Sequence, residues 1–248
     1  KLILRLTLAR NAIGYFPKAP YPAHARQANQ IRKGTQMTKA VQVGLGPLGQ
    51  KAVRFALERG TIKIVAAVDP APDKVGQDLG VLCGMKKKLG IVVRAKLSEA
   101  LRGVKPSVAI LTTLSSVKRL EPQVEELARA GLHIVSTCEE LSYPWQTQPA
   151  VARRMDAVCR RHKVACVGTG VNPGFLMDFL PSVLTAVCQN VERIKIERFQ
   201  DASPRRVPFQ QKIGAGLTRA QFQAKVREGT LRHVGLTESM HMLARHLG

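Results

Sequence analysis

Acidic residues are scarce in this chain, and aromatic ones scarcer still. Of 248 residues, 17 are Asp or Glu against 39 Lys or Arg, a formal charge of +22, and Phe, Trp and Tyr together make up 4%. A charge of that size raises nucleic acid or an anionic membrane as a partner, because clustered Lys and Arg release counterions when they meet phosphates. The clustering is poor, however, with runs no longer than Lys86-Lys87-Lys88, Arg153-Arg154 and Arg160-Arg161. A single Trp provides no basic-aromatic platform on which bases stack. The excess therefore reads as a solvated basic surface, and no nucleic-acid partner is expected.

Cysteine is also sparse. Cys83, Cys138, Cys159, Cys166 and Cys188 form an odd set without a Cys-x-x-Cys pair or a His at zinc-finger spacing. Neither a disulfide framework nor a metal site is suggested, and reduced thiols in a cytoplasmic protein are the expectation. Long apolar runs are missing too. Stretches such as 62–68 and 164–167 are strand-sized, far short of the roughly 20 residues that span a membrane. What remains is 45% hydrophobic residues, enough to bury the core of one large domain or two small ones.

Residues 1–36 contain no Asp or Glu, have scattered Pro and show no hydrophobic period. They are expected to be a non-domain leader, either an organellar transit peptide or upstream sequence joined to a start at Met37. From Lys39 onward, β-branched runs alternate with amphipathic stretches, the pattern of βαβ units and a parallel sheet. Strands are expected at 40–43, 62–68, 91–94, 107–111, 133–136 and 164–167. Helices are expected at 47–59, 98–102, 116–130 and 145–162. The fold class is therefore α/β, a doubly wound parallel sheet over residues 37–170, followed at 171–248 by a partial α+β second domain. In that second part a helix is expected at 175–188, an alternating strand at 191–199, loops at 203–208 and 213–217, and a last helix at 237–247. One strand has no partner to pair with, so either the protein continues or a second subunit completes the sheet.

The glycine loop carries the first chemistry. Gly44-Leu45-Gly46-Pro47-Leu48-Gly49 has a strand before it and a helix after it, the context that makes Gly-x-Gly-x-x-Gly a Rossmann dinucleotide-binding fingerprint. Gly44 permits the tight turn, Gly46 admits the pyrophosphate, and Gly49 lets the helix close on the sheet. The first helical turn, Pro47, Leu48 and Gly49, then turns its free N–H groups, those of Leu48 and Gly49, toward the phosphates. Asp69, at the end of the next strand, is placed to accept hydrogen bonds from the adenosine ribose. That favours NAD mildly over NADP, although Lys74 and the 86–88 lysines offer charge for a 2′-phosphate.

Ligands in such sheets bind beyond the carboxyl ends of the strands. There Thr112, Thr113 and Ser115 either line a nicotinamide pocket or, as for Ser115 and Ser116, cap the next helix. The fifth strand ends in Ser136-Thr137-Cys138-Glu139-Glu140. Cys138 is read as a cofactor contact, although a core role competes with that reading. Of the two acids, one either caps a helix or moves protons from a partly dry pocket that would raise its pKa. The run Gly168-Thr169-Gly170-Val171-Asn172-Pro173-Gly174-Phe175 is either a hinge or a substrate site. Thr169, Gly170, Val171, Asn172, Pro173 and Phe175 are the candidate substrate contacts.

The segments 41–49, 136–140 and 168–181, together with Gln211-Lys212-Ile213-Gly214-Ala215-Gly216-Leu217, resemble the 2,4-diaminopentanoate dehydrogenase and native amine dehydrogenase family. That family is related to the N-terminal domain of dihydrodipicolinate reductase. The resemblance covers about residues 38–248. It implies an NAD(P)-dependent oxidoreductase that interconverts an amine with a ketone and ammonia, with Glu139 or Glu140 as the catalytic acid-base. It also implies a homodimer when full length, and a substrate domain that extends beyond Gly248. The paired-histidine and lysine motif of dihydrodipicolinate reductases is missing. Two alternatives stand beside the amine dehydrogenase reading: a reductase of cyclic imines, and a non-catalytic NAD(P)-binding regulatory protein.

Overall fold

The computed structural model describes residues 37–199, 201–204, 207–231 and 233–247; the expected leader at 1–36 lies outside them. Two compact units divide between Gly170 and Val171.

In the first unit six strands form one sheet: β1 (Thr38–Val43), β2 (Ile62–Val68), β3 (Val93–Arg94), β4 (Val108–Leu111), β5 (His133–Ser136) and β6 (Cys166–Gly168). The order is β3-β2-β1-β4-β5-β6 and every neighbouring pair is parallel. Parallel neighbours need crossovers rather than hairpins. Here these run through α1 (Pro47–Arg59), α2 (Leu79–Leu82), α3 (Leu97–Ala100), α4 (Val117–Arg129), α5 (Pro144–Thr147) and α6 (Pro149–Arg161). This is the doubly wound α/β fold expected from the sequence. Its strand order reverses between β1 and β4, which opens a crevice beyond their carboxyl ends.

The core lies on both faces of the sheet. Ala40 belongs to one cluster with Leu45, Val53 and Ala56 of the α1 side, and its neighbour Val41 belongs to the other, with Leu120, Val124 and Met155 of α4 and α6. In β2 that alternation is interrupted. Ala40 pairs with Ile64 but Val41 pairs with Ala66, so Val65 is an extra residue. A one-residue bulge exchanges the two faces for everything beyond it. Ile64 thus packs on the α1 side and Ala66 on the opposite side, while Ala67 returns to the α1 side. Asp69, two residues further on and still bonded through its N–H to Arg94 O at 3.1 Å, follows Ala67 toward the glycine loop.

Three elements differ from expectation for local reasons. The helix expected at 145–162 is split into α5 and α6 at Gln148, which has φ −137° and ψ 55°, because a residue before proline is driven out of the helical region. The strand expected at 91–94 shortens to β3. Val92 forms an antiparallel bridge with Asp78, and Ile91 O accepts Leu79 N–H at 2.8 Å. The helix α2 beside them goes unsignalled because four residues carry no readable period.

The second unit contains α7 (Phe179–Thr185), α8 (Val207–Lys212), α9 (Arg219–Arg227) and α10 (Leu236–Leu247). The helix expected from 175 begins only after Asp178, whose carboxylate accepts the N–H of Phe179 and of Gly174, each at 2.7 Å. The strand expected at 191–199 forms no ladder with any described residue; alternation alone supplies no partner. Part of the loop expected at 203–208 belongs to α8. The missed helix α9 does carry a readable start, the capping box in which Thr218 and Gln221 satisfy each other's backbone N–H.

Candidate active site

Every glycine of the loop does a different job. Gly44 has φ +88°, a left-handed conformation that side chains disfavour. A Cβ on Gly49 would stand 2.0 Å from Gly44 O, so only glycine lets α1 approach β1 this closely. Gly46 is the opposite case: φ is −64°, and a Cβ there would meet nothing within 4 Å. Neither the backbone nor the packing of Gly46 requires glycine; the open space beside it does nothing for the fold.

The carbonyls of the loop are held by three side chains, those of Gln42, Thr112 and Gln50. Gln42, fully buried in β1, donates through Nε2 to Gly44 O at 2.9 Å and to Thr112 Oγ1 at 2.8 Å. Thr112 Oγ1 in turn donates to Gly44 O at 2.8 Å. Gln50 Nε2 donates to Leu45 O at 3.0 Å. With the Gly44 and Leu45 carbonyls so engaged, the N–H groups of Leu48 and Gly49 have no acceptor among the described residues, and a helix start leaves such donors for an anion. Pro47 occupies the first helical position, where its missing N–H costs nothing.

Asp69 is 7% exposed. Its Oδ2 accepts the Leu45 N–H at 2.7 Å and Lys74 Nζ at 2.9 Å, and its Oδ1 accepts the Ala71 N–H at 3.0 Å. Burial acts to raise its pKa. The hydrogen bonds from Lys74, Ala71 and Leu45 and the lysine charge outweigh that and hold the carboxyl below its ordinary value.

Beyond β5 the chain makes a 3-10 turn, Glu139–Ser142. Gly168, at the end of β6, lets this turn come close: a Cβ there would be 2.7 Å from Leu141 O. The two acids separate in role. Glu140 Oε2 accepts the N–H of Val117, the first residue of α4, at 2.9 Å, and Glu140 N–H donates to Ser115 O at 3.3 Å. Ser116, one candidate cap, stands at the cap position of α4 without a side-chain bond, and the N–H of Val117 is taken instead by a carboxylate from the next loop. Glu139 is half-buried beside it.

Cys138 is buried in the core, and burial pushes its thiol up to about 12. Its N–H donates to Ser136 Oγ at 3.2 Å. Thr113 is exposed and hydrogen-bonds Gln123. Thus Thr112, Thr113, Ser115, Cys138, Glu139 and Glu140 all lie past the carboxyl ends of β4 and β5, although Thr112 supports the glycine loop and Cys138 faces the core. Thr169 also lies there, its N–H on Ser136 O at 2.7 Å, and Gly170 follows it.

In the second unit Val171 and Phe175 are exposed. Asn172 Nδ2 lies 3.3 Å from His233 Nε2, and Phe175 stacks on Phe179 with ring centroids 6.2 Å apart. Pro173 follows Asn172 in the turn that Asp178 closes. Gln42 is not among the residues that the sequence motifs single out. A polar residue between Val41 and Val43 in a buried strand was the available sign of it.

Residues 175–248 match the 2,4-diaminopentanoate dehydrogenase C-terminal domain family. The 2,4-diaminopentanoate dehydrogenase of Acetoanaerobium sticklandii is 27% identical over 219 residues, covering 86% of this chain and 61% of that protein. The amine dehydrogenase of Streptomyces virginiae is 24% identical over 170 residues, 67% of this chain and 47% of that protein. The chain thus spans about three fifths and about half of the lengths of these relatives. In fold, the amine dehydrogenase from Mycobacterium smegmatis matches with a TM-score of 0.67 at 24% identity, over 85% of this chain and 62% of that one. The C-terminal residues thus match the 2,4-diaminopentanoate dehydrogenase C-terminal domain family, and the chain is similar to 2,4-diaminopentanoate and amine dehydrogenases.

Proposed function

We propose that the protein is an NAD(P)-dependent oxidoreductase acting on amines, which joins ammonia to a small ketone in one direction and releases both in the other. The observation that carries this reading is the space beside Gly46. A bound diphosphate would find there the unpartnered N–H groups of Leu48 and Gly49 at the positive end of α1. Nothing in the packing of the described residues otherwise calls for a glycine at that position.

Glu139 is the acid-base of this proposal, because the Glu140 carboxylate is committed to the start of α4. The Glu139 carboxylate takes a proton from ammonium, which frees the nitrogen lone pair to attack the ketone carbon. It then returns the proton to the carbinolamine oxygen, which leaves as water. Nicotinamide, when bound, supplies the hydride that reduces the resulting iminium. Thr169, Gly170, Val171, Asn172, Pro173 and Phe175 are the proposed substrate contacts. Ammonia is the proposed co-substrate, and a homodimer the proposed assembly. No helix of the described residues is long and apolar enough to cross a membrane.

The test is oxidation of NADH or NADPH by the intact protein with a panel of small ketones, with and without ammonium. Turnover that requires ammonium supports the reading. Turnover without it indicates an imine or carbonyl reductase, and salt-sensitive nucleic-acid binding without turnover indicates a regulatory protein.

A further inference from the structure

Asp69 stands where a ribose-reading carboxylate is expected, yet its oxygens are already spoken for. A carboxylate has about four acceptor positions. Three are filled, by the amides of Leu45 and Ala71 and by Lys74 Nζ, and the residue is 7% exposed. The Leu45 bond matters most, because Leu45 is the residue between Gly44 and Gly46. By taking that N–H at 2.7 Å, Asp69 fixes the peptide that leads into the phosphate-facing turn. The β2 bulge is what points it there.

Lys74 is the more exposed of the two partners. Its side chain is 20% exposed against 9% for Asp69, and an ammonium carries three donors, of which Asp69 uses one. The cation thus stands between the buried carboxylate and solvent.

We propose that Asp69 is a positioning residue of the glycine loop, and that Lys74 is the residue that reads the adenosine 2′ substituent. This rests on the dinucleotide reading given above. A 2′-hydroxyl asks little of Lys74. A 2′-phosphate brings negative charge close to Asp69, and it is tolerated only while the lysine neutralises that carboxylate and supplies the phosphate with a counter-charge.

The experiment is the dissociation constant of NADH and of NADPH, measured separately by calorimetry, for the wild type and for Lys74→Met, Lys74→Arg and Asp69→Asn. Lys74→Met is expected to weaken NADPH by about tenfold or more and NADH by no more than about twofold, the asymmetry of losing one charge pair. Lys74→Arg is expected to restore NADPH. Asp69→Asn is expected to weaken both cofactors by a similar factor, because a loosened loop serves both equally. The proposal is overturned if Lys74→Met shifts both cofactors alike or neither. It is also overturned if Asp69→Asn weakens NADH while NADPH holds or tightens, which is the behaviour of a ribose-reading carboxylate. Should Asp69→Asn fail to fold, the Lys74 ratio decides alone. A wild type that binds neither cofactor sinks the functional reading itself, whereas wild-type binding with the wrong ratios sinks only this inference.

Discussion

The carboxylate of Glu140 closes the helix that begins at Val117, with Oε2 accepting that residue's N–H at 2.9 Å. The loop after β5 therefore fastens the start of α4, the helix after β4. An acid at a helix N-terminus satisfies an orphan donor and meets the positive end of the helix dipole.

Glu140→Ala is accordingly expected to destabilise the protein by about 1 kcal/mol, seen as a fall of a few degrees in Tm. Glu139→Gln should leave Tm unchanged and lower kcat by about a hundredfold or more, the usual worth of a general acid-base. Thermal melts and initial rates on both variants separate the two acids. If Glu140→Ala keeps its Tm while Glu139→Gln keeps its rate, the assignment is reversed.

Asp69 makes stability depend on acid. Its carboxyl is held below the ordinary value of 3.8 by Lys74 and two backbone N–H groups, so between the two values the unfolded chain binds more protons than the folded one. The stabilisation it confers is complete above about pH 3.8 and is lost as pH falls through the lower folded value. In urea melts across the acid range, the gap between wild type and Asp69→Asn should narrow as pH falls. A gap that stays constant would mean that the ion pair contributes nothing.

Cys138 provides a check on the core. A thiol pushed up to about 12 by burial is about one part in ten thousand thiolate at pH 8. Iodoacetamide should therefore spare Cys138 in the folded protein, label half-buried Cys188 sooner, and reach all five cysteines in urea. Mass spectrometry of the labelled peptides reads the order. Labelling of Cys138 as fast as Cys188 would place it outside the core.

Where the sequence was legible, one period or one residue type decided the outcome. The bounds of α1 follow from Pro47 at its start and Gly60 at its end, and Gly60 is left-handed with φ 67°. The strands β2 and β5 end where their β-branched runs end. What was not legible depended on partners distant in the chain. The β2 bulge needs the register with β1, and no property of Val65 reveals it. That Glu140 caps α4 depends on two loops meeting across 23 positions. The stretch 191–199 alternates like a strand, yet no described residue pairs with it. Asp69 is singled out by its spacing after Gly49, but its partners, Leu45 and Lys74, are visible only in the fold.

The proposed function requires the glycine loop to grip a dinucleotide, and Gly46 isolates that requirement from stability. A Cβ there meets no atom of the described residues within 4 Å and needs no unusual backbone, and the side chain built on it enters the space assigned to the diphosphate. Calorimetric titration with NADH and NADPH of the wild type and of Gly46→Val is the direct measurement. Saturable binding by the wild type, abolished in a variant with an unchanged Tm, is the predicted result. A wild type that takes up neither nucleotide, or a valine variant that binds as well as its parent, would contradict it.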